Sequence, residues 1–142
     1  MPTIKRFEDI RAWQAARELT NFVYKTTKND LFLNDWGLRN QIRRAAGTSM
    51  HNIAEGFDAG SDSEFVRFLG YARRSVSEVQ SQLYTALDQK YIDKKEFKKV
   101  YDKADQTIRQ INGFISYLMK NKSSKKIKDL SEVYTIETDQ SD

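Results

Sequence analysis

The chain has 142 residues, with Lys+Arg 24 against Asp+Glu 20, no Cys, one His, one Pro and 39% hydrophobic residues, enough to bury a core without disulfides or a structural metal. Without cysteine there is no zinc ribbon, iron–sulfur ligand or thiol nucleophile, and one imidazole rules out any site that needs two, so neither an enzyme nor a cofactor is expected. No apolar run reaches the length of about 18 residues that a membrane span needs, and the opening Met1-Pro2-Thr3-Ile4-Lys5-Arg6 lacks a signal peptide's apolar stretch, so a cytoplasmic protein is expected.

A first helix is predicted over Phe7 to Thr26, where Ala12, Ala16, Leu19 and Val23 step along one face and Ile10, Trp13 and Phe22 widen it. Residues 27–33 read as a loop. A second helix, from about Asn34 to Ala59, carries Leu38, Ile42, Ala46, Ile53 and Phe57 beside a stripe of small residues, Ala45, Ser49, Asn52 and Gly56, that lets a neighbour approach closely. After Gly60 the capping box Ser61-Asp62-Ser63-Glu64 opens a third helix with Phe65, Leu69, Ala72, Val76, Val79, Leu83 and Ala86 in 4-3 spacing. A fourth starts at Asp93-Lys94-Lys95-Glu96 and repeats the pattern at Phe97, Val100, Ala104, Thr107, Ile111, Phe114 and Leu118. Short connections make consecutive helices antiparallel, which predicts an all-α, up-and-down four-helix bundle over residues 1–122.

Beyond Lys122 the heptad is lost, and residues 123–142 read as a mobile, disordered acidic tail. Asp129, Glu132, Glu137, Asp139 and Asp142 lie there, while residues 1–128 hold all 24 basic residues against 15 acidic ones, a net charge of +9. A cationic body attracts polyanions, and a tethered anionic segment competes for the same surface.

His51 has only Glu55 one turn onward, too few ligands for a metal and no oriented partner for general-base work. Asn52 and Glu55, beside Gly56, are expected to make buried polar contacts that fix helix register, with Ser75 or Glu78 as partners. Two basic sets combine guanidinium groups with an aromatic ring at helical spacing: Trp36, Arg39 and Arg43, flanked by Arg44, and Arg67, Tyr71 and Arg74, flanked by Arg73. Guanidinium forks clasp phosphate and aromatic faces stack bases, so these eight residues are the candidates for nucleic-acid contact; a solvated charged face, with Arg74 paired to Glu78, accounts for the same pattern. On the fourth helix Tyr101, Ile108 and Ile115 form a second apolar stripe, which suits either a generous internal core or a subunit interface.

Gln41-Ile42-Arg43-Arg44-Ala45-Ala46 followed by Asn52-Ile53-Ala54-Glu55-Gly56-Phe57 resembles the signature of a bacterial four-helix-bundle family, the proteins encoded in intervening sequences of 23S ribosomal RNA genes. The resemblance extends through Phe7-Glu8-Asp9-Ile10, Trp36-Gly37-Leu38, Phe65-Val66-Arg67-Phe68-Leu69, Ala72-Arg73-Arg74-Ser75 and Glu78-Val79, covering about residues 5–120. It implies a homopentamer with a basic surface that binds RNA or another nucleic acid, RNA being expected ahead of DNA, and no enzymatic activity. Related bundles serve as accessory factors to reverse transcriptases, which makes a scaffold docking a protein such as a polymerase the alternative. Met50 stands where the family usually has proline and Arg74 where it usually has glycine, so the second helix is expected to run unkinked.

Overall fold

The computed structural model describes residues 4–131, with side chains as far as Lys120. Among these residues all regular structure is helical: α1 (Arg11–Thr26), α2 (Asp30–Leu33), α3 (Trp36–Asp58), α4 (Asp62–Asp88) and α5 (Lys94–Ser131), preceded by a 3-10 turn at Phe7–Asp9. The four long helices are the predicted bundle, and α2 is a single turn within the α1–α3 connection.

The first predicted helix is broken at Ile10, whose backbone is extended at φ −77° and ψ 121°. A straight helix, at 100° per residue, turns Phe7 and Ile10 roughly 150° away from the stripe of Ala12, Leu19 and Val23. The break lets Ile10 enter the core, at 2% exposure, and stands Phe7 edge-on to Trp13 with ring centroids 5.1 Å apart. In the expected loop, Asn29 accepts from the Phe32 N–H at 3.0 Å and caps α2, which buries Phe32 completely. Asp35 caps α3 through the Leu38 N–H, Ser61 caps α4 through that of Glu64, and Asp93 accepts from that of Glu96 at the start of α5. Gly60 closes α3 at φ +87°, a left-handed conformation that disfavours any residue with a Cβ. α3 passes through Met50 without interruption, as expected from the missing proline. The backbone of α5 continues to Ser131, past the heptad's end at Lys122, while residues 132–142, most of the expected acidic tail, lie outside the described residues.

Cross-helix contacts set direction and neighbours. Between α1 and α3, the Thr20 hydroxyl reaches the Ala46 carbonyl, and Arg43 donates to Thr27 at the end of α1. Between α4 and α5 the pairs are Phe65 with Phe114, Arg73 with Asn112, and Tyr84 with Phe97. Between α1 and α5, the Thr107 hydroxyl lies 3.4 Å from the Ala15 carbonyl, Lys103 pairs with Glu18, and Thr26 donates to Glu96. In each case one number rises as the other falls, so neighbours are antiparallel. Contacts join α1 to α3, α3 to α4, α4 to α5 and α5 to α1, leaving α1 and α4 on one diagonal. The predicted stripe of α4 is buried at every position from Phe65 to Ala86.

The small-residue stripe does what its composition implies. Ala45, Ser49 and Gly56 are buried, and a Cβ on Gly56 would stand 2.7 Å from Phe65 Cδ1 and 2.9 Å from Phe68 Cβ of α4. Asn52 is half-buried, but its amide donates to the Thr48 carbonyl of its own helix at 3.0 Å instead of to Ser75 or Glu78, and Glu55 is exposed. Local back-bonding satisfies the amide within one turn, which departs from the expected interhelical contact.

Candidate functional site

The buried stripe of α4 fixes that helix's rotation, and 100° per residue places Arg67, Tyr71 and Arg74 on its opposite, solvent-facing side. There the guanidinium carbons of Arg67 and Arg74 lie 5.9 and 5.8 Å from the Tyr71 ring centroid, and Phe68 supports the ring edge-on at 5.9 Å. Arg67 donates to Glu64 at 2.7 Å, with both side chains about half exposed. An exposed pair of that kind contributes only about 0.2–1 kcal/mol, so Arg67 is only weakly committed to Glu64. Arg74 stands over Tyr71, and Glu78, expected as its partner, accepts from Gln82 at 3.1 Å. The result is a ring flanked by two planar cations, suited to clasping phosphate and stacking bases.

The other basic set is dispersed. Arg43 turns toward α1, where its Nε donates to the buried Thr27 hydroxyl at 2.7 Å and its guanidinium covers Tyr24 at 4.5 Å. Both contacts tie α3 to α1, a structural use. Arg39 is half-buried, and its shielded Nε has no hydrogen-bond partner among the described residues. Trp36 is 66% exposed, Arg44 is exposed on the outer side of α3, and Arg73 donates to Asn112 at 2.9 Å across the α4–α5 seam. Because α3 and α4 are antiparallel, the Trp36 set is offset from the Tyr71 set along the bundle by about 10 residues, or ~15 Å at 1.5 Å per residue.

Tyr101, Ile108 and Ile115 are half-buried and pack against the bundle core along the α4–α5 seam. Burial, then the neighbouring Tyr84 hydroxyl, then Asp105 push the Tyr101 phenol above its ordinary pKa. His51 is exposed. Among the described residues no group of three His, Asp or Glu side chains is placed to hold a metal, and no helix is long and apolar enough to cross a membrane.

Two surface features went unread in the sequence. Leu31, Leu33 and Trp36, on α2 and the first turn of α3, are each about half exposed or more, at 56%, 49% and 66%. At the same end of the bundle a cavity is lined by Lys25, Lys95 and Lys99. The lysines were visible singly, but only the approach of α1 to α5 brings them together.

A crystal structure of a protein of unknown function from the S23 ribosomal protein family of Bacteroides thetaiotaomicron VPI-5482 superposes with a TM-score of 0.67 at 19% identity, covering 73% of this chain and 97% of that one. At that identity the likeness shows the fold. No curated protein matches. The family model for the 23S rRNA-intervening sequence protein matches residues 8–113, from the turn before α1 into α5. The chain belongs to the 23S rRNA-intervening sequence protein family.

Proposed function

We propose that this chain is a non-enzymatic, cytoplasmic nucleic-acid-binding bundle that takes structured RNA with little base specificity. The observation that carries this reading is the Tyr71 ring flanked by Arg67 and Arg74 on an outward face with no packing role. The family's name and the ribosomal family of the structural neighbour lend it weight. Neither guanidinium is committed to a buried partner, whereas Arg43 is, so the contact surface centres on α4. The expected test is fluorescence anisotropy with a 20-nucleotide RNA: R67Q/R74Q weakens binding tenfold or more, and Tyr71→Ala several-fold, since stacking one base contributes about 1–3 kcal/mol. Affinity unchanged in both variants would refute the assignment.

We propose further that the protein is a homo-oligomer, a pentamer, formed through the parts of Tyr101, Ile108 and Ile115 that the seam leaves uncovered. Light scattering coupled to gel filtration reads the mass directly, and a monomer at micromolar concentration would end that proposal. One observation favours the alternative of a protein-docking scaffold: the exposed group Leu31, Leu33 and Trp36 near Arg39 and its unpartnered Nε. RNA binding that survives R67Q/R74Q while Trp36→Ala loses a protein partner would favour it.

A further inference from the structure

The end of α1 and the start of α5 flank an open cavity of about 600 Å³ whose lining includes Lys25, Lys95 and Lys99. Its floor is held in place: the Asn29 amide donates to the carbonyls of Thr26 and Tyr91 at 3.1 and 3.2 Å, and the Thr26 hydroxyl donates to Glu96. The two carboxylates at the cavity already have donors, Asp93 from the Glu96 N–H at 2.8 Å and Glu96 from Thr26. The three lysines are exposed, and none is ion-paired among the described residues; Lys99 rests its ammonium 5.2 Å from the Phe22 ring centroid. Three lysines that are not ion-paired among the described residues thus face two carboxylates in the lining, which leaves the pocket net cationic by one charge.

We infer that this cavity is a second phosphate site, taking the sugar–phosphate backbone of the nucleic acid at a point the Tyr71 cluster does not reach. Ammonium groups are compact point charges that suit phosphate without reading bases. The cavity offers no free ring for stacking, because Tyr91 is half-buried with its hydroxyl donating to Asp35 at 3.1 Å and Phe22 lies beneath Lys99. α1 and α4 lie on one diagonal of the bundle, so the lysines on the α1–α5 seam and the arginines on the outer face of α4 address different segments of a strand. The inference rests on the nucleic-acid reading above, and it makes each chain bivalent.

The test compares wild type, K25Q/K95Q/K99Q and R67Q/R74Q on the same 20-nucleotide RNA, folded as a stem-loop, across a salt series, with helicity checked by circular dichroism. Three lysine contacts at about 0.7–0.9 each predict that the lysine variant's log–log salt slope is shallower by about 2–3, with the arginine-dependent binding retained. A slope equal to wild type would overturn the inference. Wild type that binds no RNA at all would sink the functional reading by itself, and calorimetry with inorganic tripolyphosphate then decides the cavity. Binding lost in the lysine variant but kept in the arginine variant supports the site; equal binding in both overturns it.

Discussion

Replacing Gly56 by alanine sets two opposing effects against each other. In an exposed helix interior, alanine is favoured over glycine by about 0.8–1.0 kcal/mol. At position 56 the added methyl meets Phe65 Cδ1 at 2.7 Å and Phe68 Cβ at 2.9 Å. The Phe65 ring is 8% exposed and packed between Phe57 and Phe114, so it has little room to swing, and the Phe68 Cβ is fixed to the backbone of α4. Relief therefore requires α3 and α4 to separate, and overpacking of this kind costs about 1–3 kcal/mol. With two contacts below 3.0 Å the upper part of that range applies, and Gly56→Ala is expected to destabilise by roughly 1–2 kcal/mol after the helix-propensity gain. Gly70→Ala is the internal control: nothing lies within 4 Å of its Cβ position, so it should stabilise by about 1 kcal/mol. Urea unfolding followed at 222 nm measures both. Gly56→Ala as stable as Gly70→Ala would refute the close approach of α3 to α4.

Arg43→Ala removes a charged hydrogen bond and the cover over Tyr24; because the Thr27 hydroxyl keeps its bond to the Val23 carbonyl at 2.8 Å, the cost should stay near 1.5–2 kcal/mol, and RNA affinity should change less than in R67Q/R74Q. Tyr91 is held above its ordinary pKa of 10.0 by burial, then by its hydrogen bond to Asp35 and that carboxylate's charge. A raised folded-state pKa means the native state binds the proton more tightly, so this contribution is complete below pH 10 and is lost as pH rises through the folded value. Denaturation midpoints should therefore fall less steeply above pH 10 in Tyr91→Phe than in wild type, and parallel pH profiles would show that Tyr91 carries no linkage.

The 3-4 spacing along α4 foretold its buried face residue by residue, because one period, one cap and one neighbour on each side all agree. The start of α1 was not legible, since Phe7 and Ile10 look helical in sequence and only the position of the core shows that a bend buries them better. Asn29 before Asp30 signals a cap, but one turn offers too few apolar residues to form a stripe. The two arginine sets look alike as strings. What separates them is the rotation of each helix: α4 turns its set outward, while α3 turns Arg43 into reach of a threonine sixteen residues upstream. Side-chain commitments across helices are tertiary facts, and spacing within one helix does not encode them.

The seam between α1 and α5 also shapes how the chain folds and opens. Its contacts join residues 70, 85 and 92 positions apart, whereas the α3–α4 pair meets across a three-residue turn. Closing a loop of about 90 residues instead of about 10 costs roughly 2 kcal/mol more in chain entropy, so the α3–α4 hairpin is the natural nucleus and α1 against α5 the last joint to lock. In native-state hydrogen exchange the amides along that joint should open before those of α3 and α4. A polyanion seated on Lys25, Lys95 and Lys99 would span the joint as a strap, so occupancy of the cavity would slow the bundle's unlatching more than it tightens its core.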